Sequence, residues 1–323
     1  MKRRSLLGGL LVWPAAARGQ PRSAIVGFVG VASQAADASI VEPFRRGLKD
    51  LGYVEGRTLR LETRYSDGDI DRAQKQFIEL AAIPVDVFLA PGPAAARTLA
   101  RVTNIPVVAI GLPDLQSMPG LYASLNRPGG SVTGFSAFGE EMSAKRLQLL
   151  KDALPGLKTV GVLHNGTDPT FSAWGEQTIE GARRQGLEAI GVGLHAPSRV
   201  AVAEAVRQLH QQAVTAMIVV RDFMTAKLTD DICELGAAAG IAVVGSQAET
   251  AEAGGLLSYG PDIADVARLA AGYVDRILKG EKPGDLPIQF ATKFDFVVNM
   301  KTAKRLGLTI PPVALVRADR LIE

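Results

Sequence analysis

Residues 23–31 read SAIVGFVGV, and this uninterrupted run of small, apolar and β-branched residues indicates the fold class of the chain. Runs of this kind are typical of strands that are buried on both faces of a parallel sheet. The spacing of the apolar residues then changes to that of a helix, as Phe44 and Leu48 show, and Gly52 ends the predicted helix. Residues 59–65 alternate between apolar and polar side chains, which predicts a second strand and completes a βαβ unit.

The same alternation of strands and helices continues along the chain. Further strands are predicted at residues 86–90, 105–110, 159–163, 187–192, 216–220 and 241–244. Two successive runs of βαβ units specify open parallel sheets with helices on both faces. We therefore predict an α/β protein of two doubly wound parallel-sheet lobes, with a crossing between the lobes within residues 135–145. The strand predicted at 255–259, the helix at 263–278 and the strand at 294–298 do not fit two lobes joined by one crossing.

The first nineteen residues have the composition of an export signal. Three basic residues at positions 2–4 precede a short apolar run at 6–13, which Pro14 ends, and small residues precede Gln20. The alternative is a membrane anchor, but a spanning helix needs roughly 20 apolar residues and this run is far shorter. We predict a signal peptide over residues 1–19, cleavage near Gln20 and a periplasmic mature protein.

The charge balance argues against a nucleic-acid partner. The chain has 36 basic and 33 acidic residues, and removing residues 1–19 takes away four basic and no acidic ones. The mature chain, with 32 basic against 33 acidic residues, is close to neutral and lacks the basic excess of nucleic-acid-binding domains. The single cysteine, Cys233, cannot form an internal disulfide and is predicted to be buried.

Candidate ligand-binding residues follow several of the predicted strands. In open parallel sheets the ligand crevice lies beyond the carboxyl ends of the strands, and helix N-termini there favour carboxylates and other anions. The strand-end candidates are Ser33, Gln34, Gly92, Ala94, His164, Asn165, Asp222, Phe223 and Gln247. Each has a structural alternative: Ser33 and Asp222 are suited to capping a helix, and Gly92 to a tight turn. The aromatic rings of Phe223 and Tyr259 are candidates for stacking on a ligand or for the core.

Signatures of catalysis and of cofactor binding are missing. The chain has no G-x-S-x-G elbow, no G-x-x-x-x-G-K-[ST] phosphate loop and no G-x-G-x-x-G after the first strand. Its three histidines and one cysteine do not have metal-ligand spacing. We therefore predict a protein that is not an enzyme and that uses neither cofactor nor metal.

A set of longer segments extends over nearly all of the predicted mature chain. The segments are FRRGL (44–48), LGYVEGR (51–57), SLNRPGG (124–130), KRLQLLK (145–151), GLLSYG (255–260), YVDRILKG (273–280) and TAKRLGLTIPP (302–312). In sequence and order they resemble the ABC-transporter substrate-binding family that includes tryptophan- and tyrosine-type binding proteins. Relatives often carry Asp-Pro-Val in the loop after the fourth strand, where this chain has Asp114, Leu115 and Gln116. By this resemblance Asp114 faces the cleft.

The resemblance implies a type I periplasmic-binding fold, in which the chain crosses between lobes three times. Lobe 1 would contain residues 20–135 and about 257–288, and lobe 2 would contain residues 136–256 and about 289–323. The function implied is that of the extracytoplasmic solute-binding component of an ATP-driven importer. Such a protein captures a small solute, such as an amino acid or another carboxylate or amide compound, as a monomer and presents it to a membrane permease. The alternatives are an exported enzyme that uses the same cleft and a sensory ligand-binding module.

Overall fold

The structure is a computed structural model that describes residues 23–30, 33–67, 69–112, 115, 118–136 and 140–323. The predicted signal peptide and Asp114 lie outside these ranges. Within them, every helix is too short or too polar to cross a bilayer.

Lobe 1 is built on a parallel sheet. Its strands are β1 (Ala24–Gly30), β2 (Leu59–Tyr65), β3 (Val87–Pro91), β4 (Val107–Leu112), β5 (Val132–Ser136) and β11 (Gln289–Phe290). Its helices are α1 (Gln34–Asp50), α2 (Ile70–Ala81), α3 (Pro93–Val102) and α10 (Ile263–Leu278). The spatial order is β11-β5-β4-β3-β1-β2, so β1 has β2 on one side and β3 on the other.

Alternate residues of β1 are buried on opposite faces of this sheet. Val26 and Phe28 belong to a core with α1 and α10, whereas Ile25 and Val29 belong to a second core with α2 and α3. Burial on both faces explains why this strand is apolar throughout. Helices α1 and α10 approach closely at Gly47, where an added Cβ would lie 2.8 Å from the Cβ of Ala271.

Lobe 2 repeats the architecture with an antiparallel addition. Its strands are β6 (Thr159–Asn165), β7 (Glu188–Leu194), β8 (Ala216–Val219), β9 (Ala242–Gly245), β10 (Leu257–Pro261), β12 (Phe294–Asn299) and β13 (Arg320–Ile322). Its helices are α4 (Glu140–Ala153), α5 (Pro169–Arg184), α6 (Arg199–Gln211), α7 (Phe223–Lys227), α8 (Thr229–Ala238), α9 (Ala248–Glu252), α11 (Met300–Arg305) and α12 (Pro312–Leu315). The order is β13-β12-β10-β9-β8-β6-β7, and β12 runs antiparallel to β10.

Three segments connect the lobes, as the type I fold requires. They follow β5, β10 and β11, and the second and third are joined by a 3.0 Å hydrogen bond from Asp262 N to the carbonyl of Lys293. Two crossings differ from the expected positions near 257 and 289. Strand β10 pairs with β9 and β12 in the lobe 2 sheet, so the return to lobe 1 falls after Pro261. Residues 289–290 pair with β5, so the final crossing falls after Phe290.

Helix α1 begins earlier than its apolar pattern predicts. The first apolar residues at helical spacing are Ile40 and Val41, yet the helix starts at Gln34. The residues before Ile40 are alanine or polar, so they carry no apolar pattern, and Asp37 in the first turn interacts favourably with the positive end of the helix dipole.

Candidate functional site

A cleft of about 710 Å³ lies between the lobes. In each sheet the strand order reverses beside the first strand of the lobe, at β1/β3 and at β6/β8, and ligands of open α/β sheets bind outside the strand ends at such points. From lobe 1 the cleft is lined mainly by Ser33, Asp37, Asp67, Gly92, Ala94, Ala95, Ile110 and Gly111. From lobe 2 it is lined mainly by Phe171, Trp174, Arg221, Asp222, Phe223, Lys227, Asp230, Gln247 and Glu249.

The start of α3 forms one part of the lobe 1 wall. Gly92 is the N-cap residue, and its φ of 109° and ψ of 173° belong to a backbone region that is essentially restricted to glycine. No side chain caps this helix, and Pro93 occupies its first position. The N–H groups of Ala94 and Ala95 have no acceptor within the helix by the geometry of a helix start. Together with the helix dipole they make this end of the cleft suitable for an anionic group.

Asp222 forms the polar centre of the lobe 2 wall. It is 7% exposed and follows β8, where it caps α7 by accepting from Thr225 N at 2.9 Å. The hydroxyl of Thr225 donates to the same oxygen at 3.0 Å, and Asn165 Nδ2 donates to the other oxygen at 2.5 Å. The side chain is therefore held in one orientation at the edge of the cleft.

Burial raises the pKa of the Asp222 carboxyl, although the hydrogen bonds from Thr225 and Asn165 act in the opposite direction. Each carboxylate oxygen has two lone pairs, so the oxygen that accepts from Asn165 can accept a further hydrogen bond. An ammonium group in the cleft would provide such a bond and would favour the charged form of Asp222.

Aromatic side chains from lobe 2 line the same cleft. Phe171 and Trp174 lie in the first two turns of α5, and their rings are in a T-shaped arrangement with centroids 5.1 Å apart. Phe223, in the first turn of α7, is also in the lining. These rings provide an apolar surface for a hydrophobic or aromatic part of a solute.

A polar bridge joins the two lobes across the cleft. Arg97 on α3 donates from Nη2 to Oδ2 of Asp168 at 2.8 Å and from Nη1 to Oγ1 of Thr170 at 2.8 Å. Asp168 also caps α5, since its other oxygen accepts from Thr170 N at 2.8 Å. We call this set of contacts, made by Arg97, Asp168 and Thr170, the interlobe bridge. It holds the start of α5 in lobe 2 against α3 in lobe 1.

Several of the residues predicted from the sequence meet at the cleft. Those that line it are Ser33, Gly92, Ala94, Asp222, Phe223 and Gln247. The others that the structure describes, Gln34, His164, Asn165 and Tyr259, are not part of the lining. Asn165 lies directly behind Asp222 and orients it, whereas Gln34 is exposed at the start of α1.

His164 and Tyr259 point away from the cleft for different reasons. His164 is buried under α5, where an added Cβ at Gly175 would lie 2.7 Å from its ring, and burial lowers the pKa of its imidazole. Tyr259 is partly buried, stacks on Phe294 with ring centroids 5.8 Å apart and packs against the lobe 2 core.

The structure adds to the sequence inferences at two points. Asp222 caps α7, which is the structural alternative given for it, and Asp168 caps α5, so these two helix starts offer fewer free N–H groups to a ligand than the start of α3 does. Phe171 and Trp174 also line the cleft but are not among the residues predicted from the sequence. The signal for them was their position three residues apart in the first two turns of the helix that follows β6, on the side facing the strand ends.

The charges that line the cleft are partly neutralised by neighbours. Arg221 forms an ion pair with Glu249, and Asp67 with Arg72. In the part of the chain that the structure describes, no group of three or more His, Cys, Asp or Glu side chains is arranged to hold a metal ion. The described walls of the cleft therefore include the buried carboxylate of Asp222, the uncapped start of α3 and an apolar surface, which together suit a small zwitterion.

Two α/β lobes with three crossings and a solute-sized cleft define the class of two-lobed solute-binding proteins. The chain matches the family described as ABC transporter substrate binding protein over residues 25–322, and it belongs to that family. It is thus the substrate-binding protein of an ABC transporter, as the sequence resemblance predicts. Proteins of this family act outside the cytoplasmic membrane.

Individual relatives agree with this assignment. The chain is 22% identical over 267 residues to a tyrosine-binding protein of Clostridioides difficile, an alignment that covers 82% of this chain and 75% of the relative. A structure described as an ABC domain in complex with L-Trp from Streptococcus pneumoniae is 26% identical with a TM-score of 0.85, covering 93% of this chain and all of that one. A conserved domain protein from Vibrio cholerae has 26% identity, a TM-score of 0.86 and the same coverage.

Proposed function

We propose that this chain captures an amino acid in the interlobe cleft and presents it, chemically unchanged, to the membrane permease of an importer. The observation that carries the proposal is the pairing of an uncapped helix start in lobe 1 with the buried carboxylate of Asp222 in lobe 2, on the two walls of one cleft. The first suits a carboxylate and the second an ammonium group. A relative named for tyrosine and a similar structure that holds L-Trp support the same solute class.

The size and lining of the cleft fit such a solute. Sites for small molecules enclose about 300–1,000 Å³ and are mostly apolar with a few placed polar groups, and the cleft volume of 710 Å³ lies in this range. Phe171, Trp174 and Phe223 would contact the side chain of the amino acid. Contacts with both lobes would favour the closed state, since a solute shifts this equilibrium only by binding one state more tightly.

A ligand series tests the roles of the two walls. L-tryptophan and L-tyrosine should raise the melting temperature of the purified protein, by the equivalent of about 2.7 kcal/mol at one hundred times the dissociation constant. L-tryptophanamide lacks the carboxylate and indole-3-propionate lacks the ammonium group, so each should bind more weakly than L-tryptophan. Stabilisation by neutral sugars alone, with no amino acid effective, would refute the proposal.

Recovery of the solute separates capture from catalysis. The protein should release a bound amino acid unchanged after prolonged incubation, as measured by mass spectrometry of the extracted solute. Accumulation of a product in proportion to protein concentration would instead indicate an exported enzyme that uses the same cleft.

We further propose that the chain is exported, processed near Gln20 and monomeric in the periplasm. The basic residues at 2–4 and the short apolar run at 6–13 support export. Mass spectrometry of the protein from a periplasmic fraction should give a mature N-terminus near Gln20, and light scattering should give the mass of one chain. A membrane fraction that retains residues 1–19 would contradict the first point.

A further inference from the structure

A small second cavity lies inside lobe 2, next to the cleft. Its volume is about 40 Å³, and Trp174 and Arg221 line both it and the cleft. The remaining walls come from α4, α5 and the ends of β8 and β9, and include Arg146 and Ser246. A water molecule needs about 10–15 Å³ measured in this way, so the cavity has room for a group of two or three heavy atoms. We call it the side cavity.

The side cavity contains a buried cation that has no counter-charge among the residues that the structure describes. Arg146 is 6% exposed, and its Nε donates to the carbonyl of Tyr259 at 2.8 Å. Among the described residues none accepts a hydrogen bond from its Nη2, and none forms an ion pair with it. A buried charge without a counter-charge costs several kcal/mol unless other groups satisfy it.

Arg146 stays positively charged under ordinary conditions. Burial lowers the pKa of its guanidinium to about 10, which is still far above neutral pH. Neutralisation by proton loss, the usual response of a buried ionisable group, is therefore not open to it at pH 7. A negatively charged group has to come from elsewhere if the charge is to be balanced.

The rest of the lining is also suited to an anion. Ser246 is 2% exposed, and its hydroxyl has no hydrogen-bond partner among the residues that the structure describes. Arg221 provides a second guanidinium at the border with the cleft, where Glu249 pairs with it. The described residues that line the side cavity include no Asp or Glu. Hydrogen-bond donors and positive charge thus line a space in which the described residues provide no negative charge.

We propose that the side cavity is a carboxylate subsite of the cleft, in which Arg146 and Ser246 bind one carboxylate group. This inference rests on the proposed function for the source of that group: Trp174 and Arg221 line both the cleft and the side cavity, and an acidic side chain of a solute in the cleft would enter at this border. A guanidinium and a hydroxyl together match the two oxygens of a carboxylate. The second source is a small free organic acid bound beside the solute.

Acetate and its neutral analogue acetamide test the subsite independently of the solute. At constant ionic strength, acetate should raise the melting temperature of the wild-type protein, and acetamide and chloride should not. Arg146→Met should weaken acetate binding by roughly 10- to 150-fold, the equivalent of one charge-assisted hydrogen bond. Replacing an unpaired buried charge by an apolar side chain of similar length is compatible with folding. The matched control Arg207→Met, on exposed α6, should bind acetate like the wild type.

Ser246→Ala provides a second test if the Arg146 variant does not fold. Loss of one neutral hydrogen bond should weaken acetate binding by roughly 2- to 12-fold. Acetate that has no effect on the wild type, or an equal effect on the wild type and both variants, overturns the subsite and leaves the side cavity with water alone. An equal effect of chloride overturns its selectivity for carboxylate.

A comparison of L-glutamate with L-glutamine distinguishes the two sources. If the solute supplies the carboxylate, L-glutamate binds the wild type more tightly than L-glutamine does, and Arg146→Met removes the difference. If a free acid supplies the carboxylate, acetate still binds, and L-glutamate and L-glutamine have the same affinity for the wild type. If acetate binding depends on Arg146 but no amino acid binds, the proposed function is refuted and the subsite stands. If an amino acid binds but acetate does not, the subsite is refuted and the proposed function stands.

Discussion

The interlobe bridge should stabilise the closed form of the protein, and replacing Arg97 by methionine should weaken solute binding. The change removes an ion pair to Asp168 and a hydrogen bond to Thr170, each 2.8 Å long. The side chains of Arg97 and Asp168 are 29% and 15% exposed. Exposed pairs contribute about 0–1 kcal/mol and charge-assisted hydrogen bonds about 1.5–3 kcal/mol. We expect about 1–2 kcal/mol for this partly exposed bridge.

That energy converts directly into an affinity. If the solute-free protein is mostly open, the apparent dissociation constant rises by the same factor as the closed population falls. A loss of 1–2 kcal/mol corresponds to roughly a 5- to 30-fold weaker affinity. Calorimetric titration measures the affinity, and small-angle scattering of the solute-free protein measures the fraction of open molecules. Because salt screens the ion pair, the loss of affinity and the change in the open fraction caused by Arg97→Met should both be smaller at high salt.

A double-mutant cycle isolates the bridge from other effects of the substitutions. Asp168→Asn keeps the cap of α5, because Asn caps about as well as Asp, but removes the charge that pairs with Arg97. The two changes together should then weaken binding by little more than either alone. Arg101→Met, on the exposed surface of the same helix, is the control. Strictly additive effects, or unchanged affinity in both single variants, would refute the role of the bridge in closure.

Three further predictions concern single residues. Asp222→Asn should weaken amino acid binding by roughly 10- to 150-fold, because it removes a charge-assisted hydrogen bond to the ammonium group, and an unchanged calorimetric affinity would exclude Asp222 from solute contact. The asparagine keeps the cap of α7, but its NH2 group replaces the oxygen that accepts from Asn165 Nδ2, so the free energy of unfolding should also fall by about 1–3 kcal/mol. Gly92→Ala should lower the free energy of unfolding by about 1–3 kcal/mol through backbone strain, since an added Cβ meets nothing within 4 Å; equal urea midpoints for variant and wild type would contradict this. Burial lowers the pKa of His164 from 6.5, so its contribution to stability is complete above that pH and is lost as the pH falls through the folded-state value. Urea unfolding between about pH 7.5 and pH 5.5 should therefore show a smaller loss of stability in His164→Gln than in the wild type, and parallel curves would exclude His164 as the cause.

The strands and most helices could be predicted because burial leaves a periodic pattern in the sequence. Residues 23–31 are apolar because both faces of β1 are covered, and the alternation over 59–65 matches a strand with one buried face. The strand near 257 was also predicted, but its sheet was not. Membership of a sheet depends on pairing between distant segments, here β10 with β12, and no local pattern specifies that pairing.

The site could be predicted only where it depends on strand ends. Ser33, Gly92 and Asp222 line the cleft because each follows a strand at the carboxyl edge of its sheet. The same rule does not say which side of a strand a residue occupies. His164 and Asn165 are neighbours in β6 and so point to opposite faces, with His164 under α5 and Asn165 beside Asp222.

Contacts between the lobes leave no trace in the local sequence. Arg97 and Asp168 are 71 positions apart, and each belongs to a helix whose pattern explains it without the other. The lone charge of Arg146 is equally hidden, because a basic residue within an amphipathic helix is ordinarily exposed. Such features depend on the relative placement of packed elements.

The double role of Asp168 has a consequence for the release of the solute. When the lobes separate, its carboxylate loses Arg97 but keeps its hydrogen bond to the first turn of α5. Opening therefore leaves a solvated, still capped carboxylate, and no buried acid is left without a partner. Opening therefore costs the energy of the bridge, about 1–2 kcal/mol, whichever solute is bound. Differences in residence time between solutes then come from the contacts that each solute makes in the closed form.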